Sequence, residues 1–478
     1  METAKKNVSK HFIDTRTEVR LQEKAFLVRG TRKIPIRAEY SSKYSLVFRY
    51  LENQPLHDSE EPVNLLIHNN GQRVELGPCR ILPDQDLNGY AGRLVFLDDV
   101  YEIQSLLKNN KVIKLQGLFS NLPQLLARKD KVKQPFKDYV ANLVFDLQVY
   151  RQMFDRLDSE TDEEPQEVKK AVQEAIIRTE GPVFRRFLQS SLDEMAVLID
   201  GFTPKEHQRH GFYFRNHLWE FILSCPFAAR ACLKPRGYAG DSGQMRMIYL
   251  NEYQGDTTFS KLLHKHAVEH TASQSVRNRI ALIPRLINGY CNDPQFADLD
   301  KIDVLSVGSG AAFELRDIYK TPGDCHKYNV TLFDQDPVAH KEAANLATEI
   351  ERQIGASPEI KYIEGSVRTM LFSRRLMDPG GKFDFIYSMG LFDYLNSRVA
   401  EAVLSRLYKL LKPRGQLVVG NFNVSNPSRY YMEYWGNWVL MHRTEEEFVR
   451  LFTETSTAAV SLQYDETGSQ MFLVINKR

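Results

Sequence analysis

The chain is poor in cysteine and tryptophan, with five of the first and three of the second in 478 residues. The cysteines (Cys79, Cys225, Cys232, Cys291 and Cys325) are odd in number and widely spread, and none forms a CxxC pair. That pattern excludes a disulfide framework and a cysteine zinc site, and a reducing, cytoplasmic setting is expected. Neither sign of charge is in excess, since 63 Lys and Arg balance 61 Asp and Glu. A broad electrostatic footprint for nucleic acid or for an anionic membrane is therefore excluded. No apolar run approaches the ~18 residues needed to span a bilayer. The opening METAKKNVSKHF has no apolar stretch of the signal-peptide kind. The expectation is a soluble protein with no membrane span. Its length calls for more than one hydrophobic core.

From about Thr17 to Ser120 the chain reads as short strands, KAFLVRG, YSLVFRYL, PVNLLIHN, CRILP, AGRLVFLDD and KVIKLQGLF. Turn signals such as Asn70-Gly71 and Asn88-Gly89 separate them, which predicts a small all-β barrel or sandwich. Near Gln134 the pattern changes. In FKDYVANLVFDLQVYRQMFDRL, apolar residues recur at helical spacing (Tyr139, Leu143, Val144, Leu147, Tyr150, Met153, Phe154). The acidic stretch 158–167 reads as an exposed loop and helix start around Pro165, and helical patterning resumes beyond it. From about Lys301, strands (KIDVLSVGS, KYNVTLFD, EIKYIEGS, KFDFIYSM, GQLVVGNF) alternate with helical segments such as AAFELRDIYK, which implies a parallel sheet covered on both faces. The end, AAVSLQYD, a turn at Glu466–Ser469 and QMFLVINKR, reads as an antiparallel hairpin closing that sheet.

Four strand ends of this region are chemically marked. Ser306-Val307-Gly308-Ser309-Gly310 forms the first βα turn, where glycines let the backbone approach a ligand closely. Asp334, followed by Gln335, ends the second strand, where a carboxylate can accept both ribose hydroxyl hydrogens of an adenosine. Ser366 and Val367 follow the third strand, at the adenine edge, and Ser388, Met389 and Gly390 end the fourth, at the reactive end. Ligands bind at such carboxyl ends in open α/β sheets.

With the terminal hairpin, residues 301–478 resemble a class I S-adenosylmethionine-dependent methyltransferase, a Rossmann-like α/β fold. The resemblance implies S-adenosylmethionine as cofactor at these positions. One departure stands out: such enzymes commonly carry an acidic residue two before the first glycine, and here it is Ser306, a gap that Glu314 or a residue of the helical region is open to fill. KPRGYAGDSGQMRMIY, VRNR and GLFDYL together resemble the bacterial family of extracellular-factor 3-hydroxypalmitic acid methyl ester biosynthesis proteins, over roughly residues 130–478. That resemblance implies methylation of a 3-hydroxy fatty acid carboxylate to a diffusible quorum-sensing ester.

The expected organisation is an all-β domain at 1–128, a helical substrate-capping region at 129–300 and the methyltransferase domain at 301–478. A carboxylate attacks a sulfonium methyl without a general base, and alignment and desolvation supply most of the acceleration. Tyr238, Asp241, Tyr394 and Asn421 are the catalytic candidates, with Asn423 and the aromatics Tyr430, Tyr431 and Trp435 as further lining groups. Arg277, Arg279 and Trp438 are the substrate-binding candidates. The two arginines do not share a helix face, so at most one of them points into the site. No metal is expected, because His266 and His270, although spaced i, i+4, lack an HExxH glutamate and a nearby cysteine.

The N-terminal domain weakly resembles PilZ-type cyclic-dinucleotide receptors, through Arg29, Arg32 and Asp86–Gly92, with spacings that depart from that pattern. A docking or oligomerisation module is the plainer reading. Methylation of another small molecule or of a protein carboxylate, and a non-catalytic cofactor sensor, remain open, as does a homodimer.

Overall fold

The computed structural model describes residues 17–18, 25–41, 45–51, 62–69, 72–83, 91–97, 126–292, 299–372, 383–454, 456 and 458–478. The chain divides into two compact units, Met1–Lys131 and Val132–Arg478.

The first unit holds strands β1 (Thr17–Glu18), β2 (Ala25–Arg29), β3 (Arg32–Ser41), β4 (Ser45–Tyr50), β5 (Val63–Asn69), β6 (Gln72–Pro83) and β7 (Ala91–Phe96). The order β3-β2-β5-β6-β7-β4 closes on itself because β4 also pairs with β3, giving a six-stranded antiparallel barrel with β1 added to the edge of β3. Alternate side chains such as Leu27, Ile34, Ile36, Leu46, Phe48, Leu65 and Leu94 point inward and form the core. Strand β3 was not legible as a strand. Arg32, Lys33, Pro35 and Arg37 interrupt the apolar pattern, yet Ile34, Ile36 and Ala38 alternate inward between them. Arg29 and Arg32 face each other across the β2–β3 hairpin. The turns at 70–71 and 88–89, the expected strand KVIKLQGLF and Asp86–Tyr90 all lie outside the described residues.

The second unit opens with helices α1 (Gln134–Ser159), α2 (Gln166–Ile199), α3 (Pro204–His217), α4 (Trp219–Ser224), α5 (Pro226–Leu233), α6 (Ser242–Leu250), α7 (Thr258–Glu269) and α8 (Thr271–Cys291). In α1 the buried stripe is Phe136, Tyr139, Val140, Leu143, Leu147 and Phe154, while Met153 faces solvent, against the expectation for that position. These helices share a core with Tyr434 and Trp435 from the far end of the chain. The helical region and the sheet therefore form one compact unit rather than two separate bodies.

The sheet consists of β8 (Ile302–Val307), β9 (Tyr328–Asp334), β10 (Glu359–Glu364), β11 (Phe383–Ser388), β12 (Leu411–Phe422), β13 (Ala458–Tyr464) and β14 (Gln470–Lys477), in the order β10-β9-β8-β11-β12-β14-β13. All pairings are parallel except those of β14, which runs antiparallel between β12 and β13. Alternation divides the strand side chains between two cores. Leu305, Val307, Ile386, Leu417 and Val419 enter one, and Ile302, Val304, Phe385, Tyr387 and Val418 enter the other. Where AAFELRDIYK reads as a full helix, only α9 (Leu315–Ile318) is helical, and a second short helix, α10 (Pro322–Lys327), follows it. Ala312 there takes a positive φ of 50°, so the turn runs on past the glycines and delays the helix.

Candidate active site

The strand order reverses between β8 and β11, and at that switch point the carboxyl ends border a cavity of about 350 Å³. Gly308 and Gly310 both have positive φ (65° and 56°), which glycine adopts without steric cost. The loop folds back on β9. Gly308 N–H donates to Phe333 O (2.8 Å), and Gly310 N–H donates to Asp334 Oδ2 (2.8 Å). Asp334 Oδ1 accepts from Asp336 N–H (2.9 Å), which fixes the carboxylate at the rim of the cavity. Gly365 carries the chain close past β9, since a Cβ there would sit 2.7 Å from the Phe333 ring.

Most of the expected cofactor positions line this one cavity: Ser306, Gly308, Ser309, Gly310, Asp334, Gln335, Ser366, Val367, Met389 and Gly390. Ser388 does not. It is fully buried, and its hydroxyl donates to Val307 O (2.8 Å), joining β11 to β8 beneath the cavity. Among the acceptor-side candidates, Tyr238, Tyr394, Arg279 and Trp438 line the cavity. Trp438 Nε1 donates to the Tyr394 hydroxyl (2.9 Å). Gly240 packs so closely over this pair that a Cβ would fall 2.3 Å from the Tyr394 oxygen.

Three of the candidates are used up elsewhere. Asp241 is fully buried, receives Arg230 Nε and Nη2 on its two oxygens (2.7 and 2.9 Å) and caps α6 through Gln244 N–H (2.9 Å). It positions the loop 234–241 and faces no ligand. Asn421 donates to Phe422 O and Met441 O and accepts from the Arg443 guanidinium, with no exposed surface. Arg277 donates to Ile248 O, Val268 O and Gln274 Oε1, and so braces α8 against α6 and α7. Asn423 accepts from Ser425 N–H within its own turn, and Tyr430 stacks on His207. Tyr431 and Trp435 line a second, apolar recess of about 40 Å³ that shares Val276, Phe422 and Trp438 with the cavity. His266 and His270 hydrogen-bond Tyr431 and Ser428. No group of three His, Cys, Asp or Glu suited to a metal occurs among the described residues.

Arg279 is the only cation among the described residues lining the cavity, and it is 8 % exposed. Its guanidinium donates to Met389 O (3.1 Å) and lies 3.4 Å from Met245 Sδ. Two carboxylates share the space: Glu314, which the sequence offers in place of an acid at position 306, and Asp393, which sequence reasoning passed over. Asp393, inside the GLFDYL string, accepts from Phe422 N–H (2.8 Å), and burial raises its pKa to about 6 despite the pull of Arg279 and Arg443. Glu314 accepts from the Tyr387 hydroxyl (2.8 Å), and burial raises its pKa too. An acidic residue inside an otherwise apolar strand-end string is the signal by which Asp393 was findable.

The loop 234–241 reaches the sheet through Arg236. Its guanidinium pairs with Asp336 (2.9 Å) and Glu342 (3.1 Å), and Ser242 hydrogen-bonds both Arg236 and Glu342. Asp336 also caps helix α11 (Pro337–Ile354) through Val338 N–H.

The sequence matches the family described as "Methyltransferase domain" over residues 277–461. A search of curated proteins returns no match. Similar solved structures include a possible exported protein from Bordetella parapertussis, at 16 % identity and TM-score 0.39, over 64 % of this chain and 96 % of that one. Magnesium protoporphyrin IX methyltransferase (ChlM) from Synechocystis PCC 6803, solved with bound SAM, aligns at 12 % identity and TM-score 0.30, over 43 % and 83 % of the two chains. PH0226 from Pyrococcus horikoshii OT3 aligns at 16 % identity and TM-score 0.32, over 44 % and 93 %. The residues present fit an adenosyl cofactor: a glycine turn opens onto the cavity, a fixed carboxylate stands at the second strand end, and two further carboxylates line the same space. The family match over 277–461 falls on the helix and strands that build this cradle, so this part of the chain carries a methyltransferase domain whose strand ends suit S-adenosylmethionine.

Proposed function

We propose that the enzyme O-methylates the carboxylate of a small acid with an apolar body, of which a 3-hydroxy fatty acid is one example. The observation that supports this reading is Arg279, the single cation among the described lining residues, buried beside Met389 and Gly390. A guanidinium in a water-poor pocket recognises a planar carboxylate through paired N–H donors. Val276, Ile280, Phe422, Trp438 and Leu440 supply apolar wall for the rest of the acceptor. The recess behind Trp438 continues that wall, and at about 40 Å³ it takes a long chain only after side chains such as Met432 move aside.

S-Adenosylmethionine supplies the activated methyl group. Held at Gly308–Gly310 and Asp334, it would lose its S–CH₃ bond as the acceptor's O–CH₃ bond formed, leaving a neutral thioether. Arg279 holds and orients the acceptor, while the loop at Tyr238–Gly240 with Tyr394 and Trp438 excludes water.

Asp393 favours a second reading, transfer to a hydroxyl or another protonated nucleophile, with Asp393 taking the proton. Labelled S-adenosylmethionine incubated with fatty acids, 3-hydroxy fatty acids, phenols and amines separates the two. The proposal expects methyl esters, lost in Arg279→Gln. Ethers or N-methyl products, retained in Arg279→Gln and lost in Asp393→Asn, would favour the second reading.

A further inference from the structure

A zwitterionic amino-acid end brings an ammonium into the cavity, and a buried ammonium needs an anion to replace its water. Position 306 at the end of β8 provides only a hydroxyl. That hydroxyl hydrogen-bonds the phenol of Tyr387, its register partner on β11. Tyr387 in turn donates to Oε1 of Glu314, which arrives from the far side of the glycine turn. Glu314 lines the cavity together with Ser306, Tyr249 and Arg279. Two strand-end groups and one acid from beyond the turn are thus aligned in one relay, Ser306 to Tyr387 to Glu314, and the carboxylate ends it.

We infer that Glu314 receives the ammonium of the methionyl end of S-adenosylmethionine, the place in the pocket that Ser306 leaves without charge. Tyr387 fixes the carboxylate, which keeps its remaining lone pairs for the ligand. The positive charge of Arg279 nearby opposes the effect of burial and favours the ionised form of Glu314. Asp334 stands at the other strand end, so the adenosine and the amino-acid ends are held by separate acids.

The test is calorimetric titration of the full chain with two ligands, S-adenosylhomocysteine and 5′-methylthioadenosine, which lacks the amino-acid end. Glu314→Gln keeps the size and the acceptor for Tyr387 but removes the charge. It should weaken S-adenosylhomocysteine about tenfold or more and leave methylthioadenosine within about twofold. Equal weakening of both ligands, or of neither, overturns the inference. A thermal melt of the variant is run alongside. If Glu314→Gln does not fold, the wild-type protein is titrated with S-adenosylhomocysteine and its deaminated analogue, and equal affinity for the two overturns the inference in the same way.

Discussion

Tyr387 places its hydroxyl 2.8 Å from Glu314 Oε1 while its backbone pairs in register with Ser306, so one residue of β11 couples the end of β8 to the acid beyond the glycine turn. Tyr387 is almost wholly buried and lines the cavity. Tyr387 thereby sets the hydrogen-bonding of the acid that shares the cavity lining with it.

The Tyr387→Phe variant should bind S-adenosylhomocysteine several-fold more weakly, chiefly at low pH. The phenol hydrogen bond lowers the pKa of Glu314 against the effect of burial. Removing it raises that pKa further, so the carboxylate protonates earlier as pH falls. Affinities measured between pH 5 and pH 8 should show the variant losing binding at a higher pH than the wild type. Parallel profiles would contradict the coupling.

Asp393 gives a stability prediction with a definite sign. Its pKa is raised from 3.8 to about 6, so the folded state holds a proton that the unfolded chain has released. Its stabilising contribution is complete below about pH 3.8 and lost as pH rises through 6. Asp393→Asn keeps the acceptor for Phe422 N–H. The variant should be about 2–3 kcal/mol more stable at pH 7.5 and nearly unchanged at pH 4. Thermal melts at the two pH values check this, and an equal effect at both would exclude it.

The Arg236 pairs hold the loop 234–241 over the cavity through the cap of α11. Arg236→Ala should raise the dissociation constant of S-adenosylhomocysteine several-fold and speed amide exchange within 234–241. It also leaves Asp336 and Glu342 without their cation. Unchanged exchange in that loop would show that packing of Gly240 against Tyr394 and Trp438 is enough to hold it.

The α/β sheet was legible because its strands are buried on both faces and read as apolar runs, and its marked strand ends follow from where open sheets bind ligands. Strand β3 was hidden by the outward-facing Arg32, Lys33 and Arg37, which mask an inward alternation. Asp241 in its glycine-rich loop and Asn421 at a strand end read as reactive because polar residues there attract notice, and only the fold reveals that their oxygens are already taken. Glu314 and Asp393 stand out locally as acids beside apolar strand ends, but the partners that fix them lie 73 and 29 residues away and come only from the fold.

The β8–β11 cavity is expected to bind the cofactor through the second strand end. Calorimetric titration of the full chain and of Asp334→Ala with S-adenosylhomocysteine tests this most directly. Binding by the wild type, weakened tenfold or more in a variant that still melts cooperatively, is the predicted result. No binding by the wild type, or equal binding by the two proteins, would contradict it.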